Sequence, residues 1–136
     1  MKLKNTIFSR QTTDTIEKLS KVSKYKDMKT FFSIAKLKAA YDNARRPFDI
    51  AETSLALELC DKDEKDRPIT GIKGEFSFTK NRNEFQAKHS ELMDQEVELK
   101  IDPIKINLSV DRFLIEEEII FPMDVATVFG IIDFCE

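Results

Sequence analysis

A chain of 136 residues suggests one domain, and at this size roughly two thirds of the unfolded surface is buried on folding, enough for one real core. Its 41% hydrophobic and 35% charged residues place it among charged, helix-rich globular proteins, and eleven Phe with no Trp make Phe the main bulky core material. No run approaches the ~18 apolar residues of a membrane span, the start MKLKNTIFSRQTTDTIEKL lacks the apolar region and cleavage site of a secretory signal, and Cys60 and Cys135 are too few and too far apart for a disulfide framework or a zinc knuckle.

The first four residues, MKLK, alternate as a short edge strand. Asn5 or Thr6 is placed to cap a helix from Ile7 to Val22, on which Phe8, Thr12, Ile16 and Leu19 share one face. Asp27 then caps a long helix. Within it Ile34, Leu37, Tyr41, Ala44, Phe48, Ala51 and Leu55 alternate by three and four, the seam of a helical hairpin.

Pro47 falls inside that helix. A proline removes one backbone donor and clashes with the carbonyl four residues back, here Asn43, at a cost of about 3 kcal/mol or more. The helix either restarts with Pro47 in its first turn or continues with a kink. The apolar register passes from Ala44 to Phe48 without a slip, which favours a kinked continuous helix.

After Cys60 the run DKDEKDRP ends the helix and opens a charged loop over about residues 61–75, expected to be the least ordered part of the chain. Gly71 and Gly74 mark a turn in it. Thr79 or Asn81 caps a further helix with Phe85, His89 and Leu92 or Met93 on its apolar face, a natural antiparallel partner for the long helix. From residue 96 the period becomes two. Val97, Leu99 and Ile101 predict one strand, and Ile104, Ile106 and Leu108 a second. Residues 113–121 read as another strand or a short helix. Pro122 opens a last helix with Val125, Val128, Phe129 and Ile132 on one face. The fold class is α+β: a long kinked helix packed in an antiparallel helical hairpin, with a small C-terminal sheet and a final docked helix. One domain spans 1–136, with a helical part over about 5–95 and a strand-rich part with a terminal helix over about 96–136.

The net charge of −3 is unevenly spread. Residues 1–50 hold 12 Lys/Arg against 5 Asp/Glu, and residues 51–136 hold 10 against 20. The simple consequence is two halves that attract within one fold. The sharper one is a basic face for nucleic acid or for an acidic partner.

Little in the chain points to catalysis. The one histidine, His89, sits at helical spacing between Phe85 and Leu92 and reads as a boundary residue. Neither cysteine carries a nucleophile signature, GIKG has no phosphate-loop spacing, and DKDEKD lacks the glycine and the twelfth-position glutamate of a calcium loop. No catalytic residue, metal ligand or cofactor is expected, and the chain reads as non-enzymatic. The candidate interaction residues are Arg45 and Arg46, a phosphate or carboxylate site or else a solvated face, and Glu116, Glu117 and Glu118, an acidic patch whose three members cannot share one helical face.

The start MKLKN, the helix AKLKAAYDNARRPFDIAETSLALEL, the loop DKDEKDRPITG and the stretch FQAKHSELMDQEVELKIDPIKI together resemble a family of short, functionally unassigned proteins encoded by tailed phages and prophages. The resemblance is one of layout. Cys60 and Asp61 stand where members of that family often end the helix with lysine-tyrosine-glycine. It implies a viral protein in the cytoplasm of the bacterial host, or associated with the virion, and it carries over no catalytic residue. The expected role is protein–protein interaction, as an accessory in virion assembly or a minor virion component, with a viral or host protein as partner and no membrane. Two alternatives stay open: an intracellular inhibitor of a host enzyme or defence protein, and a nucleic-acid binder using the basic first half.

Overall fold

The chain organises around helix α2, Met28–Leu59. The structure, a computed structural model, describes residues 1–128 and 130–135. Asp27 starts α2 as expected, accepting the Lys29 N–H at 3.0 Å and the Thr30 hydroxyl at 3.2 Å. The helix runs unbroken through Pro47. Pro47 and Asn43 are both exposed, so water can solvate the carbonyl that has no donor at residue 47. Ile34, Leu37, Tyr41 and Phe48 form the buried stripe, with Ala44 half-buried between them. Beyond Phe48 the expected seam drifts. Ala51 and Leu55 are half-buried, while Ala56 and Leu59 take the buried positions. A seven-residue repeat slips by about 20° per heptad on a straight α-helix, which accounts for the change of face.

The N-terminal segment lies across this stripe. Strand β1 (Lys2–Lys4) leads into a 3-10 turn, Asn5–Phe8, and then helix α1 (Arg10–Ser20). The cap expected at Asn5 or Thr6 is Ser9 instead, whose hydroxyl accepts from the Thr12 N–H at 3.4 Å. Asn5 is committed elsewhere: its buried side-chain amide donates to the Leu92 carbonyl at 2.7 Å. Phe8, Thr12, Ile16 and Leu19 are all buried. The Phe8 ring sits 5.4 Å from that of Tyr41 and 5.2 Å from that of Phe48, so the face of the first helix and the stripe of α2 share one aromatic cluster.

Helix α3 (Arg82–Asp94) packs on α2 as an antiparallel partner. The Asn81 amide donates to Leu59 O at 3.2 Å, and His89 Nε2 lies 2.8 Å from Glu52 Oε2, so numbering rises on one helix as it falls on the other. The loop between them departs from expectation. Asp61 is buried, and its carboxylate accepts from the Thr79 hydroxyl and N–H at 2.7 and 2.9 Å, the Ser77 hydroxyl at 2.9 Å and the Lys80 N–H at 3.3 Å. Backbone bonds Asp61 N–Ser77 O, Ile69 N–Asp61 O and Ser77 N–Ile69 O stitch the two sides of the loop together. The Thr79 hydroxyl, the Thr79 N–H and the other donors stabilise the charged form, lowering the Asp61 pKa from 3.8 to about 2.

Strand β2 (Glu96–Glu98) pairs antiparallel with β1, Val97 opposite Leu3. Strand β3 (Ile104–Asn107) pairs in parallel with β4 (Ile132–Cys135), Ile106 opposite Phe134. The crossover holds two short helices, α4 (Phe113–Glu116) and α5 (Pro122–Thr127). Pro122 opens α5 as expected, and the Phe121 N–H donates back to Asp124 Oδ2 at 3.2 Å. α5 packs against α1 as the expected docked helix, but it ends at Thr127 and a strand follows it as the last element. The chain turns at Gly130, with φ of +97°, and Ile132 enters the sheet. Val128 is buried as expected, and Phe129 lies outside the described residues. The α+β class with its helical hairpin stands, with two two-stranded sheets in place of one.

Among the described residues four ion pairs join a cation of the first half to an anion of the second: the Met1 ammonium with Glu98, Lys4 with Asp94, Lys18 with Asp124 and Lys24 with Glu117. Most of these groups are exposed, so each pair contributes about 0–1 kcal/mol and orients the halves more than it stabilises them. Among the described residues no helix is long and apolar enough to cross a membrane.

Phe48→Ala removes a buried ring from the aromatic cluster and is expected to cost about 3–5 kcal/mol in urea unfolding; a loss under about 1 kcal/mol would show that the stripe contributes little to the core. Asp61, with its folded pKa below 3.8, contributes stability that is present above pH 4 and is lost as pH falls towards 2. Asp61→Asn is therefore expected to lower stability at neutral pH and to flatten the fall between pH 4 and pH 2, read by acid titration of both chains; parallel profiles would contradict this assignment.

Candidate functional site

Lys29, Ser33, Lys36, Ala40, Asn43, Ala44 and Pro47 recur at helical spacing along one side of α2. That side faces β2 and the segment leading to β3. A depression of about 420 Å³ lies between Lys29, Ser33 and Lys36 on α2 and Ile101, Asp102 and Lys105 opposite. A second, of about 600 Å³, lies between Ala39, Ala40, Ala44 and Pro47 on α2 and Val97, Glu98 and Lys100 opposite. Both include Lys36 and Ile101, so they form one trough. From Lys29 to Pro47 the helix rises about 27 Å. Between Lys36 and Pro47 the α2 wall carries Ala39, Ala40, Asn43 and Ala44, whose short side chains keep that half of the trough open.

Its lining holds four lysines and three acids. Lys29, Lys36, Lys100 and Lys105 are exposed, and among the described residues none of them forms an ion pair. Of the acids, Asp27 is engaged in capping α2. Glu98 binds the Met1 ammonium at 2.9 Å, and this hydrogen bond holds its carboxyl below the usual range. Asp102 is left against four lysines. At the lip, Lys36 Nζ lies 4.5 Å from the centre of the Phe32 ring. Phe32 is 61% exposed, and Met28, one turn before it, is 69% exposed.

One wall carries an open strand edge. Among the described residues β2 has β1 as its single partner. Leu99 N–H donates to Met1 O at 2.8 Å and Asn5 N–H to Gln95 O at 2.9 Å, so the odd-numbered backbone groups point to β1. Those of Glu96 and Glu98 point to the free side.

The residues singled out from sequence lie elsewhere. Arg45 faces α1: Nε donates to Asp49 Oδ1 at 3.0 Å and Nη1 to the Thr13 hydroxyl at 2.9 Å. Partial burial opposes its charge, Asp49 more than offsets this, and its pKa is raised. Arg46 is exposed and one position further round the helix, so the two arginines do not converge. Glu116, Glu117 and Glu118 are all exposed, but Glu117 is held by Lys24 at 3.1 Å. His89 is half-buried, stacked on Phe85 with ring centres 5.4 Å apart. Cys60 and Cys135 are free thiols. Among the described residues no three His, Cys, Asp or Glu side chains converge as metal ligands.

A larger hollow, about 680 Å³, lies between α1 and Phe121, but its charges answer one another: Arg10 lies 3.9 Å from Asp14, and Lys18 3.8 Å from Asp124. The trough's four lysines, by contrast, form no ion pair among the described residues. The sequence signal for it was available in Lys29 and Lys36, one heptad apart, followed on the same face by alanines and Pro47. The opposite wall comes from residues 97–105, and no local pattern links it to α2. No protein-family model, curated protein or solved structure matches the chain.

The acidic run has a backbone peculiarity. Glu118 has φ of +55°, the Glu118 N–H donates to Ile115 O and the Ile119 N–H to Leu114 O, the bond pattern that ends a helix with a left-handed residue. Glycine suits that conformation better than glutamate. Glu118→Gly is expected to raise the unfolding free energy by about 0.5–1 kcal/mol in urea titration, and a loss of stability would mean that the glutamate side chain itself is needed there.

Proposed function

We propose that the chain is a non-enzymatic protein that works by binding another protein, and that it serves a tailed phage as an accessory in virion assembly or as a minor virion component. The observation that supports binding is the exposed Phe32 ring beside Lys36, at the edge of a trough whose lysines form no ion pair among the described residues. An exposed ring beside such lysines suits a partner surface that is acidic with apolar side chains. The phage assignment rests on the sequence resemblance. The nucleic-acid reading draws on the same lysines and on the exposed Phe32 ring, and it differs in calling for binding that high salt releases.

The test is recovery of tagged protein from infected bacterial lysate, beside a variant carrying Met28→Ser and Phe32→Ser with an unchanged melting curve. Virion proteins are expected with the original chain and are expected to be lost with the variant. Recovery of one host protein without phage proteins would replace the assembly role with inhibition, and recovery of nucleic acid released by high salt would replace protein binding altogether.

A further inference from the structure

We infer that the trough between α2 and β2 takes an extended acidic segment of the partner protein, which adds as a third strand to the open edge of β2. This rests on the protein-binding reading and names its site and chemistry. The backbone groups of Glu96 and Glu98 point away from β1, and a strand laid there gains main-chain hydrogen bonds. The trough length of about 27 Å holds about eight extended residues. Successive side chains of a strand alternate. One row falls against Ala39, Ala40, Ala44 and Pro47, where short residues leave space. The acids of the segment meet Lys29 and Lys36 on one wall and Lys100 and Lys105 on the other.

Pro47 contributes twice. It lies on the trough wall, and its missing N–H leaves the Asn43 carbonyl, on the same wall, without its helical donor. A side-chain amide or hydroxyl of the bound segment can donate to that oxygen. Of the acids native to the trough, Glu98 is bound to the Met1 ammonium and Asp27 to the start of α2, which leaves Asp102 facing the four lysines.

Short peptides selected from a random displayed library on the immobilised full chain, then measured by fluorescence anisotropy, test this. The expected binders are acidic with alternating apolar residues. Their affinity is expected to fall about tenfold or more with Lys36→Glu plus Lys100→Glu, and again with Glu98→Pro. The Glu98 N–H is outside the β1 ladder, so proline there blocks the edge and leaves the sheet paired. Glu96→Pro carries the same test if Glu98→Pro melts early. Binders unaffected by the proline variants, no binders at all, a thymidine oligonucleotide that outcompetes the peptides, or a dimer of this chain abolished by Glu98→Pro would each overturn the inference. Recovery of virion proteins by both trough variants would overturn the strand addition while leaving the protein-binding reading intact. Failure of the original chain to recover any protein would count against that reading instead.

Discussion

The packing of Phe8 against Tyr41 and Phe48 fixes where the rest of the chain can go. Phe8 closes the 3-10 turn, so its position sets β1 on one side and the Ser9 cap of α1 on the other. Tyr41 adds polar anchors: its hydroxyl donates to Ile7 O at 2.8 Å and lies 2.7 Å from the Thr13 hydroxyl. Burial raises the tyrosine pKa, which keeps it a neutral donor across the physiological range. β1 in turn pairs with β2, and β2 is a wall of the trough. The candidate site thus depends on an aromatic contact on another face of α2.

What was legible in the sequence was what repeats locally. The stripe Ile34, Leu37, Tyr41 and Phe48 showed in spacing alone, and so did the face Phe8, Thr12, Ile16 and Leu19. Asp27 was recognisable as a cap because its partners, Lys29 and Thr30, are two and three residues away. The continuity of α2 through Pro47 was legible because a break would have shifted the apolar register. The seam beyond Phe48 was read on a seven-residue period, while the helix turns on 3.6.

The misreadings share a cause, which is that the deciding partner is distant in sequence. Asp61 lies in a run of charges that looked fully solvated, but its donors come from Ser77, Thr79 and Lys80. Asp111 is also completely buried, and one carboxylate oxygen accepts, at 3.0 Å, the N–H of Lys26, 85 residues away in the chain. Asn5 was read as a cap but serves Leu92. Ile132 fits a helical face by spacing and enters a strand because β3 offers it an edge beyond the turn at Gly130. The same limit hid the trough, whose two walls are about sixty residues apart in the chain. Arg45 attracted notice beside Pro47, yet Asp49 and Thr13 occupy its guanidinium.

An open strand edge is a hazard, because any exposed strand of another molecule can pair with it. Here the edge is three residues long and carries Glu96 and Glu98, with Lys100 just beyond. Short, charged edges resist indiscriminate pairing. The neighbouring lysines then set the terms of admission: a segment that brings carboxylates gains on both walls, and a neutral or basic one leaves those lysines without counter-charge. Pro47 belongs to the same logic. In the interior stripe its missing hydrogen bond would leave a carbonyl buried without a donor. On the trough side the carbonyl stays hydrated when the trough is empty and becomes an acceptor when it is filled. A proline at that position suits a helix that both supports the core and presents one flank to a partner.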